Sequence, residues 1–296
     1  MKKLNAELFP RATYLGDYSP DSPEWHEIRS RGIGGSEIGT IMGLNPWESA
    51  YALWAKKTGK IEDSVKENWS IRLGKAFESP ILGLFAEQHP ELEIYTCGTF
   101  ASTHRDFMHA NPDAMAYNPE TKEWIVIEVK TARFGWESVP QHYIAQVQHY
   151  MYVMGVNKSI VVAVAGMNYG EYEVPADEFQ QMTQVDLATR FWHNLLNDVR
   201  PDWDGSDSTY QVVRQMHPLI DDSEVDLGDL GMHLFNAQTR ADEATQELTK
   251  LKSIVMDAMG NSKTAVMELD NGETHKIASR QIRGGSPTLI VHRKAH

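Results

Sequence analysis

The segment IVIEVKTA, residues 125–132, constrains the fold more than any other stretch of this chain. Its isoleucines and valines are typical of a strand buried in a sheet, yet Glu128 and Lys130 interrupt them. Alternate side chains of a strand share a face, so these two charges would lie together, with Ile127 and Val129 on the opposite face. Taken alone, the triplet Glu-Val-Lys most often marks a salt bridge at a strand end. A functional site is the alternative.

The surrounding segments predict an α/β core. Strand-like patterns occupy residues 93–102, 107–118 and 158–168, and a helical pattern occupies residues 140–155. A strand that passes through a helix into another strand indicates a central sheet flanked by helices. Further helices are predicted at residues 22–30, from Ser36 as N-cap, and at residues 49–58, 70–87, 177–199 and 228–259.

Composition excludes several classes of protein. The single cysteine, Cys97, excludes an internal disulfide framework and a four-cysteine metal site. No apolar run approaches the ~20 residues of a membrane span, and the N-terminus lacks the apolar core of a secretory signal, so a cytoplasmic protein without a membrane contact is expected. A net charge of −13 argues against a surface that coats nucleic acid indiscriminately, but it allows a local basic channel.

The C-terminal part is predicted to be a separate extension, with domains at 1–205 and 206–296. Its long helix carries an apolar seam that alternates by three and four residues, which either packs along a neighbouring helix or contacts another subunit. The seam consists of Leu234, Ala237, Ala241, Ala244, Leu248, Leu251, Val255 and Ala258. Asn271-Gly272 predicts the turn of a hairpin. From His275 onward the chain has no acid and five basic residues: Lys276, Arg280, Arg283, Arg293 and Lys294.

A second acid lies near the opening strand. Asp113, in NPDAMAY, precedes a segment that can pair with residues 125–130 as a hairpin. Asp113 and Glu128 would then repel each other beside Lys130, and a divalent cation relieves such repulsion. Carboxylate oxygens favour Mg²⁺ or Mn²⁺ over zinc. Two such ions about 4 Å apart would suit phosphodiester hydrolysis.

Five ordered blocks between residues 22 and 165 resemble the YqaJ-like viral recombinase family, relatives of phage lambda exonuclease in the PD-(D/E)XK nuclease superfamily. The blocks are RGIGGSEIGTIMGLNPWESAYALWAKKTGK, GKAFESPIL, HANPDAMAYN, IEVKTA and VPQHYIAQVQHYMYVMG. The resemblance implies a restriction-endonuclease-like core, in which a mixed central sheet is flanked by helices. The tail after about residue 205 goes beyond the smallest relatives.

The resemblance also implies roles for individual residues. The implied metal ligands are Glu78, Asp113, Glu128 and the carbonyl of Val129; the implied catalytic residues are Asp113, Glu128, Lys130 and Gln146. Without the family, Glu78 would be a solvent-facing charge and Gln146 a polar residue beside an apolar helix stripe. Tyr143 on the same helix is expected to line the pocket.

The segment EWHEIRSRGIGGSEI resembles the part of the family that binds the 5′-phosphate of a DNA end. By alignment, Arg29 and Ser36 would contact this phosphate, and Arg31 would replace Arg29 if the register shifted by one turn. A guanidinium and a hydroxyl suit a phosphate because both donate hydrogen bonds to its oxygens. Trp25 would either stack on a base or anchor its helix.

The function implied is a 5′ to 3′ exonuclease that resects linear double-stranded DNA to 3′ overhangs for phage-type recombination. The cofactor expected is Mg²⁺, with Mn²⁺ able to substitute and two ions in each site. The partners expected are double-stranded DNA ends, further copies in a ring of three or four subunits, and a single-strand annealing protein, in a bacterial cytoplasm. The alternatives are an endonuclease of the same fold and a non-catalytic module that binds DNA ends.

Overall fold

The computed structural model describes residues 2–4, 6–62, 69–166 and 168–292. The chain divides into two compact units, Met1–Ile220 and Asp221–His296. This division comes later than the predicted boundary at 205/206, because the helix Asp207–Met216 packs into the first unit. In that helix, Val212 belongs to the main hydrophobic core, and the Thr209 hydroxyl donates a 2.8 Å hydrogen bond to Ser49 Oγ.

The helices of the described residues match the predicted pattern closely, except that the helix Asp207–Met216 was not predicted. They are α1 (Pro23–Ser30), α2 (Gly35–Ile41), α3 (Ala50–Lys57), α4 (Trp69–Gln88), α5 (Gln141–Met154), α6 (Glu178–Leu196), α7 (Asp207–Met216) and α8 (Asp229–Met259). One short 3-10 helix covers Ala6–Leu8.

The strands are more numerous than the sequence pattern indicates. They are β1 (Lys2–Lys3), β2 (Ala12–Gly16), β3 (Ile33–Gly34), β4 (Glu93–Thr96), β5 (Thr99–Ser102), β6 (Met108–Ala110), β7 (Ala114–Asn118), β8 (Glu123–Ala132), β9 (Lys158–Ala165), β10 (Asn168–Pro175), β11 (Thr264–Glu268), β12 (Thr274–Arg283) and β13 (Ser286–Val291).

A six-stranded mixed sheet in the order β1-β4-β7-β8-β9-β10 forms the centre of the first unit. Strand β8 pairs antiparallel with β7, where Ala114 lies opposite Ile127, and parallel with β9, where Glu128 lies opposite Val161. Helix α5 connects β8 to β9, so these elements form the crossover that parallel neighbours require. The predicted hairpin after Asp113 and the predicted mixed sheet are both confirmed.

Side chains of β8 divide between two hydrophobic cores. Val126 belongs to the larger core, which includes residues of α2, α3 and α5, whereas Ile127 and Val129 belong to a core that α4 covers with Ile81 and Phe85. The alternation of faces predicted from the sequence is confirmed. It places Glu128 and Lys130 on the face that carries Val126.

A smaller four-stranded sheet, β2-β5-β6-β3, leads into α2. This helix begins slightly earlier than predicted, because Gly34 rather than Ser36 is its N-cap. The backbone N–H of Gly34 donates a 2.9 Å hydrogen bond to Glu37 Oε2, which satisfies one of the free N–H groups at the start of the helix without a serine. Ser36 instead lies in the first turn, and its side chain is exposed.

The second unit contains α8 and a three-stranded antiparallel sheet, β11-β12-β13. The predicted turn at Asn271-Gly272 is confirmed: Gly272 has φ +80° and its N–H donates to the carbonyl of Leu269. Only the C-terminal end of α8 packs on this sheet, through Met259 against Ala278 and Leu289. Of the predicted basic residues, Arg293 and Lys294 lie outside the described residues.

None of the described helices has the length and the apolar character that crossing a membrane would require.

Candidate active site

The charges of β8 meet the polar edge of α5. Lys130 Nζ donates a 2.5 Å hydrogen bond to Glu128 Oε1, and Gln146 Nε2 donates a 2.6 Å hydrogen bond to the same oxygen. Glu128 is only 2% exposed. Side chains alternate between the two faces of β8, so the Glu128 carboxylate lies on the face toward α5. Side chains of α5 repeat every 3.6 residues, which places Gln146 on the face toward β8.

Asp113 joins this group from the turn before β7. Its Oδ2 accepts a 2.7 Å hydrogen bond from the backbone N–H of Val129. Burial and the nearby Glu128 carboxylate raise the pKa of Asp113 well above its usual range, although Lys130 acts in the opposite direction. The fold therefore holds two acids so close together that one of them resists ionisation.

Glu78 approaches the same acids from α4. This helix crosses β8 near Thr131, where a Cβ on Gly74 would lie 3.5 Å from the threonine hydroxyl. Burial and the Glu128 charge raise the pKa of Glu78, so the two acids interact electrostatically. Within the described ranges, however, no three His, Cys, Asp or Glu side chains are grouped closely enough to hold a metal ion. The predicted ligands therefore share one region without forming a complete coordination shell.

The carboxylate of Glu128 nevertheless offers an oxygen to a cation. Its Oε2 is buried and has no hydrogen-bond partner among the described residues. A buried carboxylate oxygen without a partner is costly, because water no longer solvates it. Together with the raised pKa of Asp113, this oxygen fits a hard divalent ion, which prefers oxygen ligands and favours ionised acids.

Lys130 remains the positive charge of the site. Burial alone would lower the pKa of its amine, but Glu128 and Asp113 outweigh burial and raise the pKa above its usual value. The Nζ atom also lies 4.9 Å from the ring centroid of Tyr143, a cation–π distance. Tyr143 thus contacts the predicted catalytic lysine.

A second cluster lies beside α2. Arg29 and Ser36, the predicted phosphate-binding residues, line a cavity of about 90 Å³. The guanidinium of Arg29 lies 4.6 Å from the ring centroid of Trp25, which also lines the cavity. Trp25 therefore supports the arginine in this structure. Arg31 pairs with Glu27 at an exposed position and is not part of the cavity lining.

Two residues of this cluster carry no signal in the sequence. Glu37 lies 3.4 Å from Arg29 and 3.0 Å from Lys57, and the lysine also donates to the carbonyls of Arg29 and Gly32. Burial alone would raise the pKa of Glu37, but Lys57 and Arg29 outweigh it and lower the pKa. Lys57 comes from α3, the next helix along the chain, and the two helices meet through tertiary packing, so only the fold reveals this ion pair.

Tyr150 connects the two clusters. Its ring lines the cavity of Arg29 and Ser36, and its hydroxyl accepts a 3.1 Å hydrogen bond from Gln146 Nε2. The sequence alone assigned Tyr150 no role at the site. Its position four residues after Gln146, on the same helix face, is the signal that indicates the contact.

Comparison with known proteins relates this architecture to a family. A family model described as the YqaJ-like viral recombinase domain matches residues 24–157. A protein of Bacillus subtilis (strain 168), described as the uncharacterized protein YqaJ, is 26% identical over 204 residues, which are 66% of this chain. The match spans 63% of that relative's length.

Solved structures share the fold. The alkaline exonuclease LHK-Exo of Laribacter hongkongensis superposes with a TM-score of 0.51 and 16% identity, covering 60% of this chain and 94% of that chain. Its complex with dAMP gives the same values. The predicted PD-(D/E)XK core, a mixed sheet flanked by helices, is thereby confirmed. Over residues 24–157 this chain is therefore similar to the YqaJ-like viral recombinase domain.

Proposed function

We propose that this chain is a metal-dependent exonuclease that resects linear double-stranded DNA from 5′ to 3′ and leaves 3′ overhangs for recombination by strand annealing. One observation carries the proposal: the buried Glu128 carboxylate is held by Lys130 and Gln146 through one oxygen, while its other oxygen has no partner among the described residues. Asp113 lies beside it. This is the donor set that a phosphodiesterase of this fold needs.

The ligands for Mg²⁺ or Mn²⁺ would be Asp113, Glu128 and the carbonyl of Val129, with Glu78 completing the site and two ions bound. When bound, such ions supply a water of lowered pKa and neutralise charge on the phosphate. Lys130, which stays protonated, stabilises the negative charge that develops on the phosphate oxygens. Gln146 fixes the orientation of the Glu128 carboxylate.

The cavity of Arg29 and Ser36 would receive the 5′-phosphate of a DNA end. A guanidinium has five N–H donors, and the described contact to Glu37 is long, at 3.4 Å, so donors of Arg29 remain for a phosphate. Tyr150 forms a wall of this cavity and also contacts Gln146. An end held there would place one particular bond beside Glu128, which is how an exonuclease selects its bond.

The similar protein of Laribacter hongkongensis is an alkaline exonuclease, which supports the reaction class, and its complex with dAMP supports a nucleotide ligand. The partners proposed are double-stranded DNA ends, further copies of this chain in a ring, and a single-strand annealing protein in a bacterial cytoplasm. The excess of acidic residues suits a ring whose basic residues face an inner channel.

Two DNA substrates of the same sequence test the proposal. The purified protein is incubated with Mg²⁺ or Mn²⁺ and either a linear duplex with 5′-phosphates or a covalently closed circle. We expect degradation of the linear duplex alone, early release of a 5′ label and late release of a 3′ label. Rapid cutting of the circle would show an endonuclease instead. Binding of ends without degradation of either substrate would show a non-catalytic module.

A further inference from the structure

The long helix α8 exposes the apolar seam that the sequence predicts. Along its 31 residues, roughly 46 Å at ~1.5 Å per residue, only Met259 at the C-terminal end is buried. Leu234, Leu248 and Leu251 are 66%, 46% and 50% exposed, and the seam alanines between them are exposed as well. A repeat of three and four residues on an exposed helix is the pattern of a two-helix interface.

We propose that this seam pairs with the seam of a second copy of the chain, antiparallel, around a two-fold axis between Ala241 and Ala244. In this register the apolar layers are Leu234 with Leu251 of the second copy, Ala237 with Leu248 of the second copy, and Ala241 with Ala244 of the second copy. Each contact occurs twice, because a two-fold interface is self-complementary.

Charges beside the seam fit the same register. Arg240 and Glu247 are seven residues apart on one helix, too far for the contacts that form between residues three or four apart. Both lie at positions that flank the seam. In the antiparallel register, Arg240 lies opposite Glu247 of the second copy, and the two-fold axis repeats this opposite-charge contact on the other side. Such flanking pairs set the orientation of paired helices.

Packing favours this orientation over a parallel pair. A parallel pair would also bring opposite charges together, Glu247 and Lys252 of the second copy, so charge alone does not decide. In a parallel pair, however, Ala237, Ala241 and Ala244 would each face the same alanine of the second copy. These three consecutive layers would then contain too little side-chain volume to fill the space between the helices. In the antiparallel register the side-chain volume of the layers increases away from the axis, from Ala-Ala through Ala-Leu to Leu-Leu. The helices can then cross closely at their centre without voids.

The assembly should therefore contain an even number of chains. If the nuclease units also close into rings of three, the two-fold contact joins one ring to another, because a ring of three has no two-fold axis within it. Light scattering on the full chain measures the mass of the assembly and therefore the number of chains in it. We expect Leu248→Glu to halve the mass at equal concentration, because it places a carboxylate opposite Ala237 of the second copy, while Lys250→Glu, on the outer face, leaves the mass unchanged. A wild-type mass of one chain, or an unchanged mass for Leu248→Glu, would overturn the proposal.

Cysteine cross-linking tests the direction. Burial strongly raises the pKa of the natural thiol, Cys97, so it stays protonated and oxidises slowly. We expect disulfide-linked pairs when chains with Ala241→Cys and chains with Ala244→Cys are co-expressed with different tags and then oxidised. Chains with Ala241→Cys alone should give none. Linking within the single variant would show a parallel pair, and no linking in either sample would show another occupant, such as an annealing protein or the chain's own first unit.

Exchanging the charges gives an independent result. Arg240→Glu and Glu247→Arg should each weaken the pair, and the double variant should restore it, because the contact is then reversed. In a parallel pair Arg240 would face Thr245 of the second copy, so Arg240→Glu would change nothing. These readouts require no nuclease activity. Failure of the proposed reaction and failure of this contact are therefore separate outcomes.

Discussion

The side-chain nitrogen of Gln146 lies 2.6 Å from Oε1 of Glu128 and 3.1 Å from the hydroxyl of Tyr150. An amide nitrogen carries two N–H groups, so Gln146 can donate to both oxygens at once. Lys130 occupies the same Oε1, which leaves Oε2 as the oxygen without a partner among the described residues. Gln146 thus determines which oxygen of Glu128 is available.

Replacing this glutamine should weaken catalysis without unfolding the protein. We expect Gln146→Ala to lower the cleavage rate by about 10- to 100-fold, the usual loss when a residue that orients a metal ligand is removed. The Mg²⁺ concentration for half-maximal rate should rise as well. Initial rates over a Mg²⁺ titration measure both, and Gln141→Ala, an exposed residue of the same helix, is the control. An unchanged Mg²⁺ dependence would show that Gln146 does not orient the ligand.

Neutralising Glu128 separates cleavage from binding. Glu128→Gln keeps the size of the side chain and its contact with Lys130, but it removes the charge that a cation requires. We expect cleavage to fall below detection while the affinity for DNA ends in Ca²⁺ stays within a few-fold of wild type. Glu123→Gln, at the exposed start of the same strand, should cleave normally. Residual Mg²⁺-dependent cleavage by Glu128→Gln would exclude this carboxylate as a metal ligand.

The periodicity of the local sequence predicted the part of the site that lies on β8 and α5. A period of two placed Glu128 with Lys130, and Asp113 followed from the hairpin that joins β7 to β8. The pair of Glu37 and Lys57 was not predictable, because α2 and α3 meet only through tertiary packing. The domain boundary was placed too early for the same reason: α7 is amphipathic like any surface helix, and only its contact with α3 assigns it to the first unit.

Arg29 should affect recognition of the 5′-phosphate at the DNA end rather than the cleavage reaction itself. We expect Arg29→Ala to reduce the preference for 5′-phosphorylated over 5′-hydroxyl duplexes, because the cavity would lose the guanidinium expected to bind the phosphate. Arg31→Ala is the matched control, since Arg31 pairs with Glu27 at an exposed position. Rates on the two duplexes give the preference directly. A greater loss of preference with Arg31→Ala would show that Arg31, and not Arg29, binds the 5′-phosphate.

His149 should make the stability of the fold depend on pH. Burial lowers the pKa of this fully buried imidazole to about 4, from 6.5 in the unfolded chain. Between these values the unfolded state binds more protons, so stability is full above pH ~6.5 and falls as the pH approaches 4, by about 3 kcal/mol in all. Urea unfolding at several pH values measures the slope. His149→Gln should flatten it, whatever its effect at pH 7, and an equal slope in both proteins would assign the loss to other groups.

Gly35 should tolerate no side chain, because the ring of Tyr150 lies against it. A Cβ at Gly35 would come 2.4 Å from the ring, whereas a Cβ at Gly83, also in a helix, meets nothing within 4 Å. We expect Gly35→Ala to destabilise the fold by about 1–3 kcal/mol and Gly83→Ala to be neutral or stabilising by up to about 1 kcal/mol. Urea unfolding measures both.

The same substitution tests whether Tyr150 transmits the change to the site. A displaced ring would carry its hydroxyl away from Gln146, so Gly35→Ala should also lower the cleavage rate. In a Tyr150→Ser background the clash disappears, and the cost of Gly35→Ala in unfolding free energy should shrink toward that of Gly83→Ala. Such non-additivity is expected only between residues in contact. Additive costs would mean that Gly35→Ala is accommodated elsewhere, and that the cavity and the acids of β8 are not joined through this tyrosine.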